Sequence, residues 1–141
     1  MPDQSRPLVM AIDDSPIIRT IIEHTLARVG LQVIAFADGV SAMRALQEQS
    51  ASVPDLLLVD VDLPRMTGFE VVDLLHSAYH DVPIIMLSGH DGFIDKMRGR
   101  LAGATDFISK PFKPSELAAL VCRRLGVEGP GAARDSVDGA S

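Results

Sequence analysis

No tryptophan, one tyrosine and five phenylalanines leave this 141-residue chain poor in aromatics, at 4%. Single-stranded nucleic acid is held by aromatic platforms set among cations, and no such interleaving occurs here. No block of Lys and Arg occurs either, in a chain whose net charge is −6, so no direct contact with nucleic acid is expected. Cys122 is the only cysteine. It forms no internal disulfide, no Cys/His spacing of a metal site accompanies it, and it reads as a small apolar residue on a helix. No apolar run is long enough to span a bilayer, and the N-terminal MPDQSRP lacks the apolar core of a signal peptide. A cytoplasmic protein with no membrane partner is the expectation.

What is present is a core. Apolar residues make up 47% of the chain, and the length favours one domain. Short apolar runs at 7–12, 32–36, 56–59, 83–87 and 105–109 alternate with stretches of helical spacing. Ser15-Pro16 opens the first helix as N-cap and first helical residue, with Ile17, Ile18, Ile21, Ile22 and Leu26 as a wide buried stripe and Gly30 as its end. Asp38-Gly39 marks a turn before a second helix carrying Ala42, Ala45 and Leu46. Thr67-x-x-Glu70 is a capping box for a third, with Phe69, Val72 and Leu75 facing inward. The fourth runs from about Asp91 to Ala102, with Ile94, Met97 and Leu101 inward; Gly99 inside it weakens it by roughly 1 kcal/mol relative to Ala. Pro114 starts the fifth, whose stripe is Leu117, Leu120, Val121 and Leu125.

Such alternation is (βα)₅, an α/β fold with a doubly wound five-stranded parallel sheet covered on both faces. Residues 1–126 form the domain; 127–141 read as a disordered tail or linker stub. In a sheet of this kind ligands bind beyond the carboxyl ends of the strands, and there the chain gathers Asp13-Asp14, Asp60, Ser88 and Lys110. Three carboxylates, a hydroxyl and an ammonium suit Mg²⁺, with Mn²⁺ as a substitute, and a phosphoryl group on an aspartate. Asp60 is the nucleophile. Asp14 and Asp60 ligate the metal directly and Asp13 through water, and the backbone carbonyl of Asp62 adds an oxygen. Lys110 pairs with a phosphoryl oxygen and Ser88 hydrogen-bonds one.

The motifs IDDS (12–15), LVDVDLPRMTG (58–68), MLSG (86–89) and FISKPF (107–112) closely resemble the response-regulator receiver family over about residues 7–125. That resemblance implies the flavodoxin-like strand order 2-1-3-4-5, metal-site acids Asp13 and Asp14, phosphoacceptor Asp60, switch hydroxyl Ser88, Lys110, a cis Lys110-Pro111 peptide, and Phe107 as the switch aromatic. It further implies a histidine kinase or phosphotransfer protein as donor, a downstream output protein bound by the fourth helix, fifth strand and fifth helix, and a monomer or weak dimer. The protein then catalyses its own phosphotransfer and dephosphorylation without being a turnover enzyme. The stretch 90–112 is similar to receivers of type IV pilus twitching-motility and phototaxis pathways.

Each residue also has a plain reading. Asp13-Asp14 alone is a turn with helix N-terminal charge, Phe107 alone is core, and His24, His76 and His80 are solvated. Lys96, Arg98, Arg100, Arg123 and Arg124 are either solvated faces or partner surface. Asp62 and His90, each two residues past a site residue, modulate the lifetime of the phosphate. Two other functions fit the same residues: a receiver domain of a larger regulator, and a haloacid-dehalogenase-type phosphatase with Asp60 as nucleophile and Asp62 as acid.

Overall fold

The computed structural model describes residues 6–89 and 92–129. The chain runs β1 (Leu8–Ile12), α1 (Pro16–Ala27), β2 (Gln32–Phe36), α2 (Gly39–Gln47), β3 (Leu56–Asp60), α3 (Gly68–Ala78), β4 (Ile84–Ser88), α4 (Phe93–Ala102), β5 (Asp106–Ser109) and α5 (Pro114–Leu125). All strand pairs are parallel, in the order β2-β1-β3-β4-β5. Every residue of the central strand β3 is buried, as a strand covered on both faces requires.

Successive side chains of a strand point to opposite faces, and the core divides accordingly. Met10, Ile12, Leu57, Val59, Ile84 and Met86 pack with Ala42, Leu46, Phe69, Val72 and Leu75 from α2 and α3. Val9, Ala11, Leu56, Leu58, Ile85 and Leu87 pack with Ile22, Leu26, Leu117, Val121 and Cys122 from α1 and α5. The starts of α1 and α3 are capped by the residues their sequences anticipate, and Asp38 of the turn signal caps α2. Ser15 accepts from the Ile18 amide, Asp38 from Ser41 and Thr67 from Glu70, each satisfying one amide that the first helical turn leaves without a partner.

Three expectations change. Ile17 is exposed. The buried line of α1 is Ile18, Ile22 and Leu26 at i, i+4 spacing, and Ile17 stands one position, about 100°, off it. Ile94, Met97 and Leu101 of α4, with Phe93, are between 47% and 85% exposed. The inward position of that helix is Gly99, its only buried residue, so the apolar stripe faces water. His76 is half-buried rather than solvated, with its Nδ1 buried and without a partner, because its ring lies directly beneath Gly103. Asp91, His90 and residues 130–141 lie outside the described residues.

Candidate functional site

Register brings the site together. Ile12 of β1 pairs with Val59 of β3, so the next residues, Asp13 and Asp60, come level; Asp60 in turn pairs with Leu87, one residue before Ser88. Ser88 pairs with Ser109, and the Lys110 amide donates to the Ser88 carbonyl at 2.8 Å. Asp13 and Asp60 are buried and Asp14 is exposed, and one carboxylate oxygen from each lies within 4.8 Å of the others. The Lys110 ammonium bridges the two buried acids, donating to Asp13 Oδ2 at 2.7 Å and lying 3.3 Å from Asp60 Oδ2.

Backbone donors hold this arrangement. The Ser15 amide donates to Asp13 Oδ1 at 2.9 Å, and the Asp62 amide to Asp60 Oδ1 at 3.2 Å. Two further contributors have no role assigned in the motifs: Arg19, which lies outside them, and Gly68, the last residue of the motif at 58–68. Arg19 donates to the Asp13 carbonyl at 2.7 Å, a bond six residues along the chain that ordinary helical spacing does not predict. Gly68, the first residue of α3, would place a Cβ 2.1 Å from the Asp60 carbonyl oxygen. The absence of a side chain there lets α3 begin against the strand end, and the Gly68 amide donates to the Val61 carbonyl at 2.9 Å.

Burial pushes the Asp60 carboxyl up from 3.8 to about 6, with the Asp13 charge adding to the shift and Lys110 and the Asp62 amide opposing it. Burial alone would lower the Lys110 pKa, but its bonds to Asp13 and Asp60 and their charges outweigh that and raise it. The cluster thus carries more negative charge than one ammonium offsets. Three oxygen donors drawn this close fit a hard divalent cation. Asp62 is exposed beside them, and the Lys110-Pro111 peptide is cis. Phe107 is half-buried, packed on the α2–α3 side of the sheet. Two grooves, of about 500 and 420 Å³, are lined by residues such as Ile21, Arg28 and Ala118, and Arg6, Gln32 and Asp55; neither includes the carboxylates.

A parallel sheet of this order with an acid cluster and a lysine at its carboxyl edge defines a class of signalling domain. A family profile described as the response regulator receiver domain matches residues 9–122. Protein PilG of Pseudomonas aeruginosa is 38% identical over 115 residues, covering 80% of this chain and 83% of its own. The DNA-binding response regulator MtrA of Mycobacterium tuberculosis is 37% identical over 123 residues, covering 87% of this chain and 52% of its own; the chain therefore spans about half the length of that relative. Among solved structures, chemotaxis protein CheY4 of Vibrio cholerae superposes with a TM-score of 0.77 at 35% identity, covering 84% of this chain and 98% of its own. The chain belongs to the response-regulator receiver family, and the haloacid-dehalogenase reading of Asp60 and Asp62 gives way to it. Receiver domains are phosphorylated by histidine kinases and act on output domains. Among the described residues, no helix is long and apolar enough to cross a membrane.

Proposed function

We propose that Asp60 accepts a phosphoryl group from a phosphohistidine and that the product changes the surface formed by α4, β5 and α5. The observation that carries this is the 3.3 Å approach of the Lys110 ammonium to a buried Asp60 carboxylate within a cluster of three acids. An Asp60 oxygen attacks phosphorus; the bond from phosphorus to the imidazole nitrogen of the donor breaks, and that nitrogen keeps the electron pair and takes up a proton. With its carboxyl near 6, Asp60 is ionised at neutral pH and ready as nucleophile. Asp13, Asp14, Asp60 and the Asp62 carbonyl would hold Mg²⁺, or Mn²⁺ in its place; when bound it supplies positive charge to the phosphoryl oxygens. Lys110 adds its own charge and Ser88 a hydrogen bond, and most of the catalysis is such positioning and neutralisation.

Once the phosphoryl group is in place, Ser88 and Lys110 draw the ends of β4 and β5 toward it, and Phe107 moves into the space vacated. Two packings then compete and the modification favours one. Release of phosphate is hydrolysis at the same centre, its rate set by Asp62 and His90. The likeness to PilG and to a chemotaxis protein supports a place in motility or taxis signalling. The donor is a histidine kinase or phosphotransfer protein and the acceptor of the signal a downstream output protein. We assign residues 1–126 to the receiver domain and 127–141 to a tail or linker, in a cytoplasmic protein that is a monomer or weak dimer and does not itself bind nucleic acid. Curated relatives that extend well beyond the matched region also support a receiver within a larger regulator.

Asp60→Asn tests the assignment. The amide keeps the shape and loses the nucleophile, so labelling by acetyl phosphate or a phosphorylated kinase in Mg²⁺ is expected to disappear while the fold persists. Undiminished label, located on a different residue, would overturn it.

A further inference from the structure

Helix α4 rests on the sheet at the backbone of Gly99, and the half-buried Ala102 also packs against the core. Gly99 is its only buried residue, and a Cβ there would lie 2.5 Å from Phe107 Cζ and 2.9 Å from Met86 Sδ. Met86 and Phe107 are register partners on β4 and β5. Ser88 follows Met86 by two residues and Lys110 follows Phe107 by three, so the two strands that end in site residues reach α4 together at this glycine. The helix also lies against α3. The Arg98 guanidinium stacks on the Phe69 ring at 4.3 Å. Gly103, at φ 124°, lies so close over the His76 ring that a Cβ would be 2.4 Å from its Cγ.

A glycine inside a helix is unfavourable by itself. Here it allows the helix backbone to rest on an aromatic ring, with no side chain of α4 between them. We infer that Gly99 is a positioning residue, the pivot through which the state of the Asp60 site reaches α4. The inference rests on the reading of Asp60 as phosphoacceptor and Phe107 as the moving aromatic. When the ring moves inward it leaves the underside of Gly99, and α4 settles toward the sheet about its α3 contacts at Arg98 and Gly103. Its exposed apolar row, Phe93, Ile94, Met97 and Leu101, turns with it. A methyl group at position 99 displaces the ring and keeps the helix from following it.

Amide hydrogen exchange on the full chain, with and without beryllofluoride and Mg²⁺ as a stable mimic of the phosphoryl group, tests this. In the wild type, beryllofluoride is expected to change exchange in residues 93–102 at least fivefold, together with residues 84–88 and 106–109. Gly99→Ala is expected to speed basal exchange in α4 at least fivefold and to reduce the beryllofluoride response there below twofold. Labelling of Asp60 by acetyl phosphate should stay within twofold of wild type. In the double variant Gly99→Ala, Phe107→Ala the methyl has room. Basal protection should return to within twofold of wild type while the response stays absent. If Gly99→Ala does not fold, this double variant carries the test, since the methyl must then be tolerated only where the ring is gone. A wild-type-like response in Gly99→Ala, or a double variant as poorly protected as the single one, would overturn the pivot. In the wild-type protein, a response at 84–88 and 106–109 without one in α4 overturns the pivot alone. No response anywhere and no label on Asp60 overturns the phosphoacceptor reading beneath it.

Discussion

Helices α3 and α4 lie side by side on one face of the sheet and are attached to it in opposite ways. Helix α3 buries Gly68, Phe69, Val71, Val72 and Leu75, and Thr67 caps its first turn. Helix α4, one residue shorter, buries Gly99 alone, and its N-cap, Gly92, makes no side-chain hydrogen bond. The first is held by transfer of apolar surface from water; the second has a glycine seat on the sheet and contacts with its neighbour at Arg98 and at its C-cap Gly103. Elements with few buried contacts open at low free energy, so α3 serves as the fixed floor and α4 as the element free to move. The division has a chemical logic. α3 begins against the Asp60 carbonyl, where the site must stay rigid, while α4 stands over Phe107, where a change has to be passed on.

The largest effect should come from truncating each helix at a leucine. Leu75→Ala removes a side chain that is almost fully buried and should cost about 3 kcal/mol in transfer and cavity terms. Leu101→Ala, in contrast, removes one that already faces water and should change stability by less than about 0.5 kcal/mol. Urea denaturation of the two variants measures both. Comparable losses would mean that α4 is anchored through its apolar row and that the contrast is mistaken.

The same leucines show where sequence reading holds and where it stops. Periodicity places Leu75 and Leu101 equally well on an inward stripe, because it reports a common face and not which way that face points. In α3 the stripe and the sheet agree. In α4 the volume under the helix is filled from the sheet by Phe107 and Met86, so the inward position takes a glycine and the apolar row is left outside. Strand ends were easier to read. Asp13, Asp60, Ser88 and Lys110 each close an apolar run, and parallel register alone brings such ends to one edge. The roles of Gly68, the last residue of a motif, and of Arg19 are not legible there, because each depends on a backbone carbonyl, which no motif displays. The burial of His76 is not legible either, because it is set by Gly103, the residue that ends another helix.

The floor on which α3 rests includes a buried carboxylate that is itself unfavourable, and removing its charge should stabilise the protein. The folded Asp60 carboxyl titrates near 6 and the ordinary value is 3.8, so between these values the folded state binds the extra proton. Stability therefore falls as pH rises through that window and stays lower above it. Asp60→Asn should raise stability on the order of 2 kcal/mol at pH 7.5 (~1.4 kcal/mol for each pH unit between the two values, discounted for residual solvent screening). The gain should shrink as pH falls through about 6 and vanish only below about pH 3, where both states are protonated. Thermal melts without divalent metal across that range would show it. A gain independent of pH would place its origin outside the carboxylate.

Capping gives a smaller contrast between the helices. Thr67→Ala removes the acceptor for the Glu70 amide and should cost about 1 kcal/mol. Because α3 starts at the Asp60 carbonyl, its fraying should also loosen the 61–68 segment, visible as faster amide exchange there. Unchanged exchange in that segment would show that Gly68 alone holds the loop.

The smallest effect is the one that best separates a missing cap from missing burial as the cause of α4's weak attachment. Gly92 has extended backbone angles, φ −78° and ψ 145°, which any residue adopts and which match those of Thr67, φ −69° and ψ 159°. A Cβ at Gly92 would meet nothing within 4 Å. Gly92→Ser therefore adds a hydroxyl able to accept from an amide of the first turn, without strain and without touching the sheet. Glycine is already a fair N-cap, so the gain should be only a few tenths of a kcal/mol, with a little more from reduced freedom of the unfolded chain. Exchange in residues 93–96 should slow less than threefold, and exchange near Gly99 should not change. If the serine instead stabilised α4 by more than about 1 kcal/mol along its whole length, the cap would be what limits the helix. The contrast with α3 would then lie in two N-terminal residues rather than in what each helix buries.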